Sequence, residues 1–328
     1  MKKLFSFCTI GGLSLVASLV AAPRLLAVGD PTTYVYKQVG GLEIRADVYE
    51  PEGFSGPRPV LVWLHGGALM SGNRQGIQGA KSGPVRDAML QAGVVVVVPD
   101  YRLAPETKLP EIIQDVEDSF AWVREKGPEL FHIDPDRLVV AGSSAGGYLT
   151  LTMGYRLDPR PLALVSMWGY GDLIGDWYST PSPHERHYRK GRYSAEQAYG
   201  YVSGPPVANK YERPGVGGGK FYEYCRQQGI WPQEVSGWNP HTEAEKFYPY
   251  MPLKNVTADY PPTLLIHGEK DTDVPFEQSV MMAEQFKKHG VEYQFISDPN
   301  ADHGSYWSPE AKAKIDKAAV AFLLSHLK

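Results

Sequence analysis

Apolar and polar residues alternate over residues 34–39 and again over Leu42–Tyr49, with Gly40-Gly41 between them. That pattern predicts a β-hairpin, since alternation buries one face of each strand and two glycines accept a tight turn. Six compact apolar runs follow, at residues 60–64, 94–98, 138–141, 162–167, 263–266 and 293–296. They are too short for helices and too uniformly apolar for half-exposed strands, so they read as strands buried on both faces. Helical spacing separates them. Ile112, Ile113, Val116, Phe120 and Val123 recur every three or four residues after Pro110. Near the end, Ser308-Pro309-Glu310 supplies an N-cap with proline at the first helical position, ahead of an apolar face of Ile315, Ala319, Phe322 and Leu323. Strands alternating with crossover helices predict an α/β fold: a mostly parallel central sheet with helices on both faces.

Two stretches depart from the alternation. Residues 168–250 hold 17 of the 38 Phe, Trp and Tyr residues, together with the flexible run Gly215-Val216-Gly217-Gly218-Gly219. So long and aromatic an interruption is expected to be an inserted cap rather than a plain loop, with most rings filling a small helical subdomain. The other departure is the start. Lys2 and Lys3 precede an uncharged, apolar run over 4–22, and small residues gather at Ala21, Ala22 and Ala27. Residues 1–29 are therefore expected to be a secretory signal peptide and residues 30–328 the folded domain. The expected destination is export, periplasmic or secreted. The alternative is an uncleaved anchor, because the run approaches the ~20 apolar residues that span a bilayer. After cleavage no stable membrane insertion is expected.

Composition narrows the class. A hydrophobic share of 43% against 21% charged residues excludes a disordered chain. A net charge of −4 gives no electrostatic reason to expect nucleic acid, and losing Lys2, Lys3 and Arg24 with the leader only deepens the acidity. Two cysteines cannot make a disulfide scaffold or a Cys-rich metal site, and Cys225 alone remains in the mature chain. His184, Glu185 and His187 lie close together but lack an HExxH-type spacing, so no metal is assigned.

The chemistry gathers at strand ends. Gly142-Ser143-Ser144-Ala145-Gly146 follows one apolar run and precedes a helix-like segment at 148–155. A serine on a sharp strand-to-helix turn projects its hydroxyl, provided the residues two before and two after are small enough for strand and helix to meet. Gly142 and Gly146 meet that need, and Ser144 is the candidate nucleophile. Upstream, His65-Gly66-Gly67-Ala68 ends another strand, and bare backbone N–H groups of Gly66 and Gly67, with that of Ala145, are candidates for an oxyanion hole. His65 reads as a loop-bracing hydrogen-bonder. A serine needs a base oriented by a carboxylate. Asp271 follows the run at 263–266 and is the candidate acid, with Asp273 and Glu269 behind it. His303 follows the run at 293–296 and is the candidate base. His184, His187, His241, His289 and His326 read as solvated surface residues.

Together, the elbow at 142–147, the 65–68 turn and Asp100-Tyr101-Arg102-Leu103-Ala104-Pro105-Glu106 resemble the hormone-sensitive-lipase-like (carboxylesterase/lipase) group of α/β-hydrolase esterases. The resemblance covers roughly 42–167 and 261–327. It implies an α/β-hydrolase fold with an inserted cap at about 168–250, Ser144, Asp271 and His303 as triad, Gly66, Gly67 and Ala145 as oxyanion donors, and no cofactor. Ala68 and Ser143 replace the group's usual glycine and aspartate, and neither change removes a backbone donor. The group's usual N-terminal cap has no counterpart before the hairpin, so the insertion is expected to supply the cover. The expected activity is cleavage of carboxylic esters through an acyl-enzyme, on acylated carbohydrates or on short-chain acyl esters. Trp177, Trp231 and Trp238 are the rings proposed to meet a polysaccharide-linked or small-molecule substrate. The stretch from His267 through Asp271 to Val274-Pro275 is also similar to prolyl-oligopeptidase-type serine peptidases. A non-catalytic binding protein on the same scaffold is the remaining alternative, and oligomeric state is left open.

Overall fold

The structure is a computed structural model describing residues 29–79, 82–213, 218–304 and 307–328. The expected leader at 1–29, Gly29 apart, lies outside the described residues. Eight strands form one sheet: β1 (Thr32–Val39), β2 (Leu42–Tyr49), β3 (Arg58–Leu64), β4 (Val95–Pro99), β5 (Ile133–Ser143), β6 (Leu164–Met167), β7 (Thr263–Gly268) and β8 (Tyr293–Asp298). Their spatial order is β1-β2-β4-β3-β5-β6-β7-β8. The predicted hairpin pairs antiparallel and joins β4 antiparallel, while every pairing from β4 through β8 is parallel. Strand β5 starts five residues before its apolar run, at Ile133, which pairs with Arg58 across a register shift. The polar residues 134–137 hide that start from a hydrophobicity pattern.

The flanking helices are α1 (Gly83–Gln91), α2 (Leu109–Leu130), α3 (Ala145–Arg156) and, further along, α9 (Glu277–His289) and α10 (Pro309–Ser325). Alternate residues of each central strand serve opposite faces. Val60, Val62 and Leu64 pack with Val116 and Phe120 of α2, Leu149 of α3 and Phe286 of α9. Leu61 and Trp63 pack with Val85 and Met89 of α1 and with Ile315, Ala319 and Phe322 of α10. Each such fully buried apolar side chain contributes roughly 1.5–3 kcal/mol, which makes this sheet a rigid platform for its loops. As predicted, Ser308 caps α10, its hydroxyl accepting the Ala311 N–H at 3.1 Å.

Between β6 and β7 the chain forms short helices, α4 (Asp176–Ser179), α5 (Ala195–Gly200), α6 (Gly218–Gln228), α7 (Trp231–Ser236) and α8 (Ala244–Phe247). Their aromatic core is continuous with the sheet's first face. The Tyr178 ring stacks between Trp177 at 3.5 Å and Trp231 at 3.9 Å, and the Arg226 guanidinium lies 4.9 Å over it. Trp231 is fully buried, and Trp238 packs edge-on against Phe247 at 5.4 Å. This corrects the assignment of Trp231 as a substrate-facing ring, while Trp177 and Trp238, half-buried, pack against the same core. They hold the insertion together.

Candidate active site

Strand β5 ends at Ser143 and α3 begins at Ala145, leaving Ser144 alone on the turn at φ 57°, ψ −123°. A Cβ on Gly142 would stand 2.4 Å from the Gly146 carbonyl oxygen, and one on Gly146 would stand 2.0 Å from that of Leu64. The two glycines are therefore demanded by close approach. A left-handed serine is a strained conformation, of the kind surrounding structure must impose.

His303 and Asp271 arrive from the loops after β8 and β7. His303 Nε2 lies 3.1 Å from Ser144 Oγ, and its Nδ1 lies 2.7 Å from Asp271 Oδ2. Backbone N–H groups of Asp273 and Val274 donate to Asp271 Oδ1 at 2.8 and 2.9 Å, fixing the carboxylate. Buried His267 adds its Nε2 3.2 Å from Asp271 Oδ2. Burial alone would raise the Asp271 pKa, but the charge of His303 and the hydrogen bonds from both histidines hold it well below the carboxylate range. For His303, burial pulls the imidazolium pKa down. Asp271, by charge and hydrogen bond, and then Asp273 by charge, outweigh that and lift it above the ordinary histidine value. An ionised Asp271 places the proton on Nδ1 and leaves Nε2 free to accept from the Ser144 hydroxyl.

Ser144 and His303 border a cleft of about 330 Å³, together with Gly67, Trp168, Tyr222 and Asp273, while Asp271 lies behind the imidazole. Gly66 packs on the elbow, where a Cβ would be 2.7 Å from the Ser143 carbonyl oxygen. Gly67 has φ 120°, and Ala145 opens α3, where N–H groups have no partner within the helix. His65 braces this loop as expected. It is buried, donates from Nδ1 to the Gly66 carbonyl at 2.8 Å and stacks on Tyr101 at 4.2 Å. Burial pushes its pKa down to about 4, so it stays neutral.

The same loop is held from the insertion, a feature invisible in the sequence. Ala68 and Leu69 both have positive φ, 55° and 59°. Their segment presents carbonyls that the insertion satisfies: Trp231 Nε1 donates to Ala68 at 3.0 Å, the Arg213 guanidinium to Met70, and the Lys210 N–H to Gly72 at 3.1 Å. The insertion is thus docked on the 65–72 loop.

Two expectations need correction. Glu269 accepts from Ser297 at 2.6 Å in an exposed position and does not reach His303. His187 is not solvated but buried, with Nε2 2.9 Å from Asp273 Oδ1 and Nδ1 2.7 Å from Ser182 Oγ. Asp273 consequently sits beside the triad rather than in it, with Oδ2 3.7 Å from His303 Nε2.

Comparison with known proteins agrees with this architecture. A family model described as BD-FAE matches residues 46–163, and the prolyl oligopeptidase family model matches residues 221–328. Among curated relatives, a non-reducing polyketide synthase of Penicillium roqueforti is 28% identical over 316 residues, 83% of this chain but 12% of that protein's length. Another, from Emericella nidulans, is 37% identical over 138 residues, 39% of this chain and 5% of its own. The chain thus spans about an eighth or less of these relatives. Among solved structures, a protein of unknown function from Staphylococcus aureus overlays with TM-score 0.70 at 21% identity, covering 90% of this chain and all of that one. The Thermogutta terrifontis esterase Est2 overlays with TM-score 0.62 at 21% identity, covering 90% and 92%. A truncated carbohydrate esterase from gut microbiota overlays with TM-score 0.64 at 19% identity, covering 92% and 97%. The chain has the α/β-hydrolase fold, the fold that its resemblance to the hormone-sensitive-lipase-like esterases implied.

Proposed function

We propose that this protein is a serine hydrolase that cleaves carboxylic esters through an acyl-enzyme on Ser144. The observation that carries the reading is the continuous hydrogen-bonded line from Ser144 Oγ through His303 to Asp271, opening on a cleft. Ser144 attacks the ester carbonyl while His303 Nε2 takes its proton, and Asp271 keeps the imidazole in the required tautomer. The N–H groups of Gly67, Ala145 and Gly66 receive the developing oxyanion, where one lost donor typically costs about 10²–10³ in rate. His303 then protonates the leaving alcohol, and water repeats the sequence on the acyl-enzyme.

Short-chain acyl esters and acylated carbohydrates are the substrate classes the reading favours. Structures of the Thermogutta esterase are described as propionate-bound and butyrate-bound, and another neighbour is described as a carbohydrate esterase. The prolyl oligopeptidase match over 221–328 supports a second reading, a serine peptidase. Purified protein assayed on p-nitrophenyl butyrate and on an aminoacyl p-nitroanilide separates them. Ester turnover abolished by Ser144→Ala supports the proposal, and Ser144→Ala with wild-type turnover sinks it. Export by the 1–29 leader belongs to the same proposal, and N-terminal sequencing of the protein recovered outside the cytoplasm tests it.

A further inference from the structure

Asp273 is the acidic group the mechanism leaves unused, and its two oxygens have different fates. Oδ1 is saturated: it accepts from the Tyr222 hydroxyl at 2.6 Å, from His187 Nε2 at 2.9 Å and from Arg226 at 3.3 Å. Oδ2 accepts no hydrogen bond from the described residues. Its neighbours are His303 Nε2 and an Arg186 nitrogen, each 3.7 Å away, and Asp273 borders the catalytic cleft. Burial would raise the Asp273 pKa, but the hydrogen bond from His187 and the charges of His303, Arg226 and Arg186 hold it well below the usual range. The free oxygen is therefore an anionic acceptor beside the nitrogen that delivers a proton to the leaving group.

Charge decides what it accepts. Arg226 is buried against Asp273, and Arg186 bridges Asp273 and Asp302, with 3.1 Å to the latter. Two guanidiniums already face this carboxylate, so an added ammonium would meet repulsion, whereas a neutral hydroxyl would make a charge-assisted hydrogen bond. Position decides where that hydroxyl sits. A leaving oxygen at His303 Nε2 puts a hydroxyl on the adjoining carbon close to Oδ2, because the two protein atoms are about as far apart as neighbouring oxygens of a folded diol can bridge. Resting on the esterase reading above, we propose that Asp273 Oδ2 recognises a neutral hydroxyl next to the scissile ester oxygen, so that esters of diols and polyols are preferred over esters of simple alcohols.

A matched pair tests this: 2-hydroxyethyl butyrate and 2-methoxyethyl butyrate, which differ in the donor hydrogen. Wild-type enzyme is expected to show kcat/KM about tenfold or more higher on the hydroxy ester, the scale of a hydrogen bond to a charged group. In Asp273→Asn the ratio should fall to near one, measured at a pH on the plateau of each profile so that any change in His303 titration cancels. A wild-type ratio near one overturns the proposal even if the variant does not fold. So does an unchanged ratio in folded Asp273→Asn, including a uniform loss on both esters, which would make Asp273 a residue that only tunes His303. Preference for butyrylcholine over the hydroxy ester would show that the carboxylate acts on cations, against the proposal. Failure of the esterase reading itself looks different: p-nitrophenyl butyrate turnover would then survive Ser144→Ala.

Discussion

Replacing Trp231 by Phe keeps a buried aromatic six-membered ring but removes the pyrrole part of the indole, and with it the N–H donor to the Ala68 carbonyl 163 residues away in sequence. Ala68 and Leu69 occupy left-handed backbone conformations, which cost on the order of 1–3 kcal/mol each. Against that cost stand the donors to Ala68, Met70 and Gly72 from the insertion and the Ala104 N–H to the Leu69 carbonyl at 2.8 Å. Leaving a buried carbonyl unsatisfied costs about 1–3 kcal/mol, comparable to the strain of one left-handed residue. The loop bearing Gly66 and Gly67 should then relax part of the time. Trp231→Phe is expected to lower kcat about tenfold, well short of the 10²–10³ of a wholly lost donor, with KM little changed and Tm down by a few degrees. Rates are normalised to sites titrated with a fluorophosphonate, and affinity for a trifluoromethyl ketone, whose adduct bears an oxyanion, should fall in parallel. A lower Tm with unchanged kcat and unchanged ketone affinity would refute the reasoning and make the insertion a packed subdomain without influence on the loop.

The pH profile follows from the same site. His303 must be neutral to act as base and its pKa is raised, so kcat/KM should rise with pH through a midpoint above the ordinary ~6.5. Asp271→Asn removes the largest upward contribution, and it should shift that limb down while cutting kcat by about 10⁴. Asp271 and Asp273 have depressed folded pKa values, so the stability they add is present above ~3.9 and is lost as pH falls from there through their folded values; acid titration of Tm checks this. Gly146→Ala forces a Cβ to 2.0 Å from the Leu64 carbonyl and should destabilise by about 3 kcal/mol or more, while Gly204→Ala, with nothing within 4 Å, should be near neutral in denaturant melts.

What could be read from the chain follows a physical division. Strand runs, the elbow and the order Ser144, Asp271, His303 are local patterns: a buried strand must be apolar, and a serine on a sharp turn must be flanked by small residues. Those landed where the pattern placed them. His187 and Trp231 defy the local pattern because Asp273 and Ala68, their partners, lie far along the chain, and burial by a distant segment leaves no periodic mark. Nothing near His187 announces Asp273, and nothing near Ala68 announces Trp231. The sequence offers Asp271 and, behind it, Asp273 as candidates for the same acid. Only the geometry separates their parts, one on Nδ1 and the other beside Nε2.

The central claim is that Ser144 is a nucleophile activated by His303. Labelling the folded protein with a fluorophosphonate and mapping the adduct by peptide mass spectrometry tests it directly. The account predicts a single adduct on Ser144, with loss of ester hydrolysis in step with labelling and strongly slowed labelling in His303→Ala. Folded protein that takes up no label, or that carries the adduct on Ser143 or Ser71 while Ser144 stays free, would contradict it.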